Sequence, residues 1–114
     1  MRLLISLLFV TTLLFAEDYD RARDLVQRVQ ADLQTLLDKK PRNDKERERI
    51  DNARKRLSDF DRDLRRNKFE KDHLDQSIDH VKNVVENNTL EPNDRDMLSA
   101  DLRDLRSLRA GDGR

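Results

Sequence analysis

Apolar residues recur along most of this chain at alternating intervals of three and four. From residue 19 they fall at Tyr19, Ala22, Val26, Val29, Leu33 and Leu36, a spacing that puts all six on one stripe of a helix. Leu25 and Leu37 widen the stripe. Asp18 or Asp20 can accept from the free amides of a first turn, and Asp38, Lys39, Lys40 and Pro41 place cations and then a proline at the far end. The pattern predicts a first helix over residues 18–39. A second stripe, Ile50, Ala53, Leu57, Phe60 and Leu64, follows a capping Asn43 or Asp44 and predicts a helix over residues 44–65.

The third stripe, Leu74, Ile78, Val81 and Val85, keeps the heptad register of Leu64 when counted through Asn67 and Lys71, so a single long helix is an alternative. An unbroken helix would bury Asn67 and Lys71 and turn Phe69 to water. A break relieves all three. Asn67 then serves as the left-handed terminus of helix two and caps helix three over residues 68–87, with Glu70 as capping-box partner. After Asn87 and Asn88 the chain restarts with Pro92 at a first helical position, and Leu98, Leu102, Leu105 and Leu108 carry the fourth stripe to Arg109, Ala110 and Gly111. Connections this short make sequential helices antiparallel neighbours. The expected fold is therefore all-α: a small antiparallel bundle of four helices over residues 17–110, with a flexible tail at 111–114.

The first sixteen residues follow a different rule. Arg2 precedes an uncharged run over residues 3–15, and Ala16 stands before the acidic group Glu17, Asp18 and Asp20, the layout of a secretory signal peptide. As a helix the run spans about 20 Å, short of the roughly 30 Å hydrocarbon core of a bilayer, so no stable membrane span is expected after cleavage. Leu14 is larger than the residue usual at its place before the cut. Cysteine is absent, which removes disulfide support from an exported domain and suits a bacterial envelope: periplasm first, the outside medium second.

Charge narrows the partners. Charged residues make up 42% of the chain, yet the signs alternate and the apolar rhythm is kept, which argues for a folded domain. Without residues 1–16 the remaining 98 carry 23 Lys and Arg against 24 Asp and Glu. That balance gives no general attraction to nucleic acid or anionic lipid. Arg54, Lys55 and Arg56 are interleaved with acids and lack aromatic platforms, so no nucleic-acid surface is expected there.

Candidate chemistry is sparse. His73 and His80 lie seven apart, about 10 Å along a helix, too far for both imidazoles to hold one zinc easily. Ser77 is four residues from His73, but Ser58, Ser77, Ser99 and Ser107 all sit mid-helix, away from any glycine-bearing turn. Asp59, Asp61 and Asp63 alternate with Phe60, Arg62 and Leu64 and read as a solvated face. A glycan at Asn87-Asn88-Thr89 would need a eukaryotic secretory route. No catalytic, cofactor-binding or metal-ligating residues are expected, and no cofactor.

The stretches RIDNARKRLSDFDRDL (49–64) and NKFEKDHLDQSIDHVKNVVENNTL (67–90) resemble a group of short exported helical proteins of bacteria with no assigned function. The resemblance covers most of residues 17–109; it implies export and an all-helical fold and transfers no active site. Periplasmic chaperones of the Spy and CpxP type are similar in size, compartment and helical content. Their LTxxQ repeats are missing here, since Leu90, Glu91, Pro92, Asn93 and Asp94 keep only the leucine and the helix start. The sequence thus leads to a non-enzymatic envelope protein acting through protein contacts, a second copy of the chain included. The alternative is a holdase-type chaperone or stress adaptor, with Leu25 and Leu37 as candidates for an exposed apolar surface.

Overall fold

The computed structural model of the chain describes residues 2–111, with side-chain surroundings from residue 19 onward. Four helices follow in order: α1 (Arg2–Asp38), α2 (Asp44–Arg65), α3 (Lys71–Asn87) and α4 (Pro92–Ala110). No strand occurs among the described residues. The leader read at residues 1–16 falls outside the side chains described, and the tail read at 111–114 lies outside the described residues beyond Gly111.

Helix α1 does not begin at residue 18. Its backbone stays helical through Glu17 and Asp18, because Ala16 and Glu17 are good helix formers and neither glycine nor proline interrupts the run, so Asp18 and Asp20 lie within the helix and not at its start. Its far end does close where the sequence placed it. The Lys39 amide donates to the Thr35 carbonyl at 3.2 Å and the Lys40 amide to that of Leu37 at 3.0 Å, with Lys40 left-handed at φ 61°. Pro41 then has no amide to extend the pattern.

Helix α2 starts on Asn43, whose Oδ1 accepts from the Glu46 amide at 2.9 Å. Its end is a Schellman motif. The Asn67 amide donates to the Leu64 carbonyl at 3.0 Å, the Lys68 amide to that of Asp63 at 2.9 Å, and Asn67 takes φ 59°. The chain therefore breaks at Asn67. Lys71 is exposed, and the Phe69 ring packs edge-on against Phe60, centroids 5.4 Å apart and planes at 86°. The proposed cap of helix three is corrected. Because the Lys68 amide is bound back to α2, residues 68–70 are not helical, α3 starts at Lys71, and Glu70 occupies the cap position without a side-chain cap bond. Pro92 opens α4 as expected, and the Arg95 amide donates to the Glu91 carbonyl at 2.9 Å.

Each helix packs on its sequence neighbour, and α4 returns to pack on α1, closing a ring of four. The buried core takes Ala22, Val26, Val29, Leu33 and Leu36 from α1 and Ile50, Ala53, Leu57, Phe60 and Leu64 from α2; α3 adds Leu74, Ile78, Val81 and Val84, and α4 adds Leu98, Leu102 and Leu105. Tyr19, Leu25, Leu37, Val85 and Leu108 are partly buried around it. On α3 it is Val84, not Val85, that fills the centre. The seventeen-residue α3 packs between two neighbours, so its inward face is wider than a strict heptad line, and Val85 falls to the rim.

Candidate functional site

Ser77, His73, Asp59, Asp61 and Asp63, which the sequence offered for chemistry, each have a structural partner. Ser77 is buried, but its Oγ donates to the His73 carbonyl at 2.9 Å, a bond within one helical turn, and not to the imidazole. The His73 ring instead pairs through Nδ1 with Asp63 Oδ2 across the α2–α3 seam. That hydrogen bond raises the imidazole pKa above its ordinary value, against a desolvation that lowers it, with the charges of Asp63, Asp59 and Glu70 assisting. His80 lies with Asp79, Lys82, Asn83 and Glu86 along a shallow depression on α3 and does not meet His73 in any shared site. Among the described residues no three His, Cys, Asp or Glu side chains converge as metal ligands would.

The three alternating acids divide their roles. Asp59 pairs with Arg56 at 3.6 Å and Arg62 at 3.8 Å on the outer face. Asp61 is buried and takes Arg65 at 3.0 Å and Arg23 of α1 at 3.5 Å, so the solvated-face reading fails for it. Asp63 belongs to His73. Beside Asp61, an open groove of about 400 Å³ runs between α1 and α2 past Val26, Gln27, Gln30 and Ser58. Gln30 crosses this seam and donates through Nε2 to the Arg54 carbonyl at 3.0 Å and to Ser58 Oγ at 3.1 Å.

The acids that sequence reasoning missed are buried at the seams. At one end of the bundle, Glu46 Oε2 accepts from the Thr89 amide at 3.1 Å, and its carbonyl takes Asn88 Nδ2 at 3.0 Å. Asn88 Oδ1 in turn accepts from Arg49 at 3.2 Å. Asn87, Asn88 and Thr89 thus form the joint that fastens the α3–α4 loop to the start of α2. Beside it, Lys39 Nζ reaches Asp94 at 2.9 Å, a hydrogen bond that raises the lysine pKa. Glu46 and Asp94 were legible in principle, since each continues the three-and-four rhythm of its own helix into Ile50 and Leu98.

Midway along the α1–α4 seam lies the most unusual group. Asp101 is 3% exposed, and its Oδ1 accepts from Arg28 Nε at 3.3 Å. Its Oδ2 is buried with no hydrogen-bond partner. Arg28 also pairs with Asp104, and that hydrogen bond leads the causes that raise the guanidinium pKa. Burial pushes the Asp101 carboxyl up to about 7, with the neighbouring Asp32 adding to the shift and Arg28 opposing it. A carboxyl held near neutrality is a general acid or base in form. Here the carboxyl is buried in the seam, and among the described residues no metal-binding cluster accompanies it.

Comparison with known protein families, curated proteins and solved structures finds no match to this chain. Among the described residues no helix is long and apolar enough to cross a membrane.

Proposed function

We propose that this protein is an exported, non-enzymatic helical module of the bacterial envelope that works through contacts with other proteins. One observation carries the reading: the pair weighed for chemistry in the sequence, Ser77 and His73, and the buried Asp61 are engaged within or between helices and hold the bundle together. What is left to the outside is a surface of interleaved charges, exemplified by Asp51, Lys55, Asp59 and Arg62 on the outer face of α2. Such a surface favours recognition by charge complementarity over catalysis. Export is supported by the leader pattern of residues 1–16 and by the absence of cysteine. The resemblance to short exported helical proteins points the same way.

The holdase alternative draws less support. Leu25 and Leu37, which would have provided its apolar surface, are partly buried against the core. The test has two parts, both made in the producing cell. Mass spectrometry of the fractionated protein should find the chain cut after Ala16 in the periplasm or medium; an intact chain confined to the cytoplasm would refute export. A photo-crosslinker placed at Lys55 or Arg62 should give an adduct of one defined mass, a second copy of this chain among the candidates. No adduct from either outer position, at native expression, would refute the contact role of that face.

A further inference from the structure

The polar centre of the α1–α4 seam holds more carboxylate than its cations can satisfy. Arg28 and Asp32 lie one turn apart on α1, and both act on Asp101 of α4, with Asp104 one turn further along α4 sharing Arg28. The other neighbour of α4 is α3, and the charged contacts along that seam are distant. Asp75 pairs with Arg109, and Arg95 bonds the Val85 carbonyl, about 12 Å and 9 Å along α4 from Asp101 at about 1.5 Å per residue. The charges that face Asp101 are therefore Arg28, Asp32 and, through Arg28, Asp104.

The unpartnered Oδ2 of Asp101 is the key observation. Two ionised carboxylates cannot bond to each other, since each only accepts, and a buried carboxylate oxygen with no donor is costly. One proton resolves both difficulties. Protonated, Asp101 presents an O–H on the buried oxygen and Asp32 supplies the acceptor. We propose that Asp101 and Asp32 form a proton-held latch between α1 and α4, closed while Asp101 is a neutral acid donating to Asp32 and loosened when that proton leaves.

The direction of the response follows from the carboxyl's environment. Its pKa is raised in the folded protein to about 7 from an ordinary 3.8, so between those values the folded chain holds a proton that the unfolded chain has lost. Stability contributed by the latch is complete below the unfolded value and is lost as pH rises through the folded one. Above neutrality two carboxylates face each other with only Arg28 between them and Asp104. The device would make the first and last helices part more readily in alkaline surroundings, and it does not depend on the function proposed above.

The test uses the full chain. Carbon-detected NMR of side-chain carboxyls should find Asp101 titrating near 7, and Asp32→Asn, which removes the facing negative charge, should move that midpoint down. Between pH 5 and 8 the urea midpoint of the wild type should fall, and amide exchange in α4 should accelerate beyond its intrinsic base-catalysed rise. Asp101→Asn keeps the size and a donor but cannot ionise, so both pH responses should shrink. An Asp101 titration in the ordinary aspartate range would overturn the latch even if the variants fail to fold. So would an Asp101→Asn protein with the wild-type pH profile.

Discussion

Truncating Phe60 tests the α2–α3 junction and the core together. Its side chain is fully buried, and Phe69, from the non-helical residues after the break, closes edge-on over it at 5.4 Å. Removing a buried phenylalanine down to alanine costs about 3 to 5 kcal/mol, and an edge-to-face pair contributes about 0.5 to 1.5 kcal/mol beyond the area it buries. A domain of this size has about 5 to 15 kcal/mol in total. Phe60→Ala should therefore remove a large share of the stability and lower the melting temperature by roughly 15 to 30 °C. Phe69 is only partly buried, so Phe69→Ala should cost less. Urea unfolding followed by circular dichroism, run on both single variants and the double, separates the terms. The double variant should be less damaged than the sum of the singles by about 0.5 to 1.5 kcal/mol, which is the ring pair itself. A Phe60→Ala loss under about 1 kcal/mol would refute the packed core at this position. Strict additivity would show that the rings do not meet, and the account of how Phe69 seals the break would fall.

Two further perturbations read the same molecule at its margins. Asn67 holds φ 59°, which glycine adopts without a side-chain penalty, so Asn67→Gly should be neutral or stabilising by up to about 1 kcal/mol in urea unfolding; a clear loss would count against the left-handed terminus. The hydrogen bond to Asp63 raises the His73 pKa above 6.5, so the stability it contributes is full below that value and disappears as pH climbs through the folded pKa. His73→Gln should remove that component of the wild-type pH profile, and superimposable profiles would refute it.

How much could be read from the chain depends on how local each signal is. The bounds of α2 were legible to the residue because Asn43 accepts from the amide of Glu46 and the amide of Asn67 donates to the carbonyl of Leu64, each only three positions away. The start of α1 was not, since an aspartate can cap a helix or sit within one, and only the residues before it decide which. The same limit hid the start of α3, where the Lys68 amide is taken by a carbonyl five residues back. The buried acids were overlooked for a different reason. Asp101 lies beside Leu102 and between Leu98 and Leu105, squarely on the core stripe, but a carboxylate in a chain so rich in charge reads as surface until its position in the rhythm is counted.

Those acids also explain why four similar aliphatic stripes assemble in one order. Arg23 with Asp61 marks the α1–α2 seam, His73 with Asp63 the α2–α3 seam, Arg109 with Asp75 the α3–α4 seam, and Arg28 with Asp101 and Lys39 with Asp94 the α1–α4 seam. As attractions the exposed pairs are worth at most about 1 kcal/mol each, too little to choose a topology. Mispairing has a larger effect. Asp61 and Asp94 are buried with Asp101, and a helix order that denied either of the first two its cation would leave a buried charge uncompensated, at about 3 to 5 kcal/mol. The apolar stripes drive collapse without distinguishing one neighbour from another, whereas the charges penalise each wrong neighbour separately. Asp101 is the member of that set whose cation is insufficient, because Arg28 also pairs with Asp104 and Asp32 faces the same carboxyl. With the proposed latch, the seam that closes the ring is the one whose pairing needs a proton, and a change of pH reaches the fold there as well as at His73 on the α2–α3 seam.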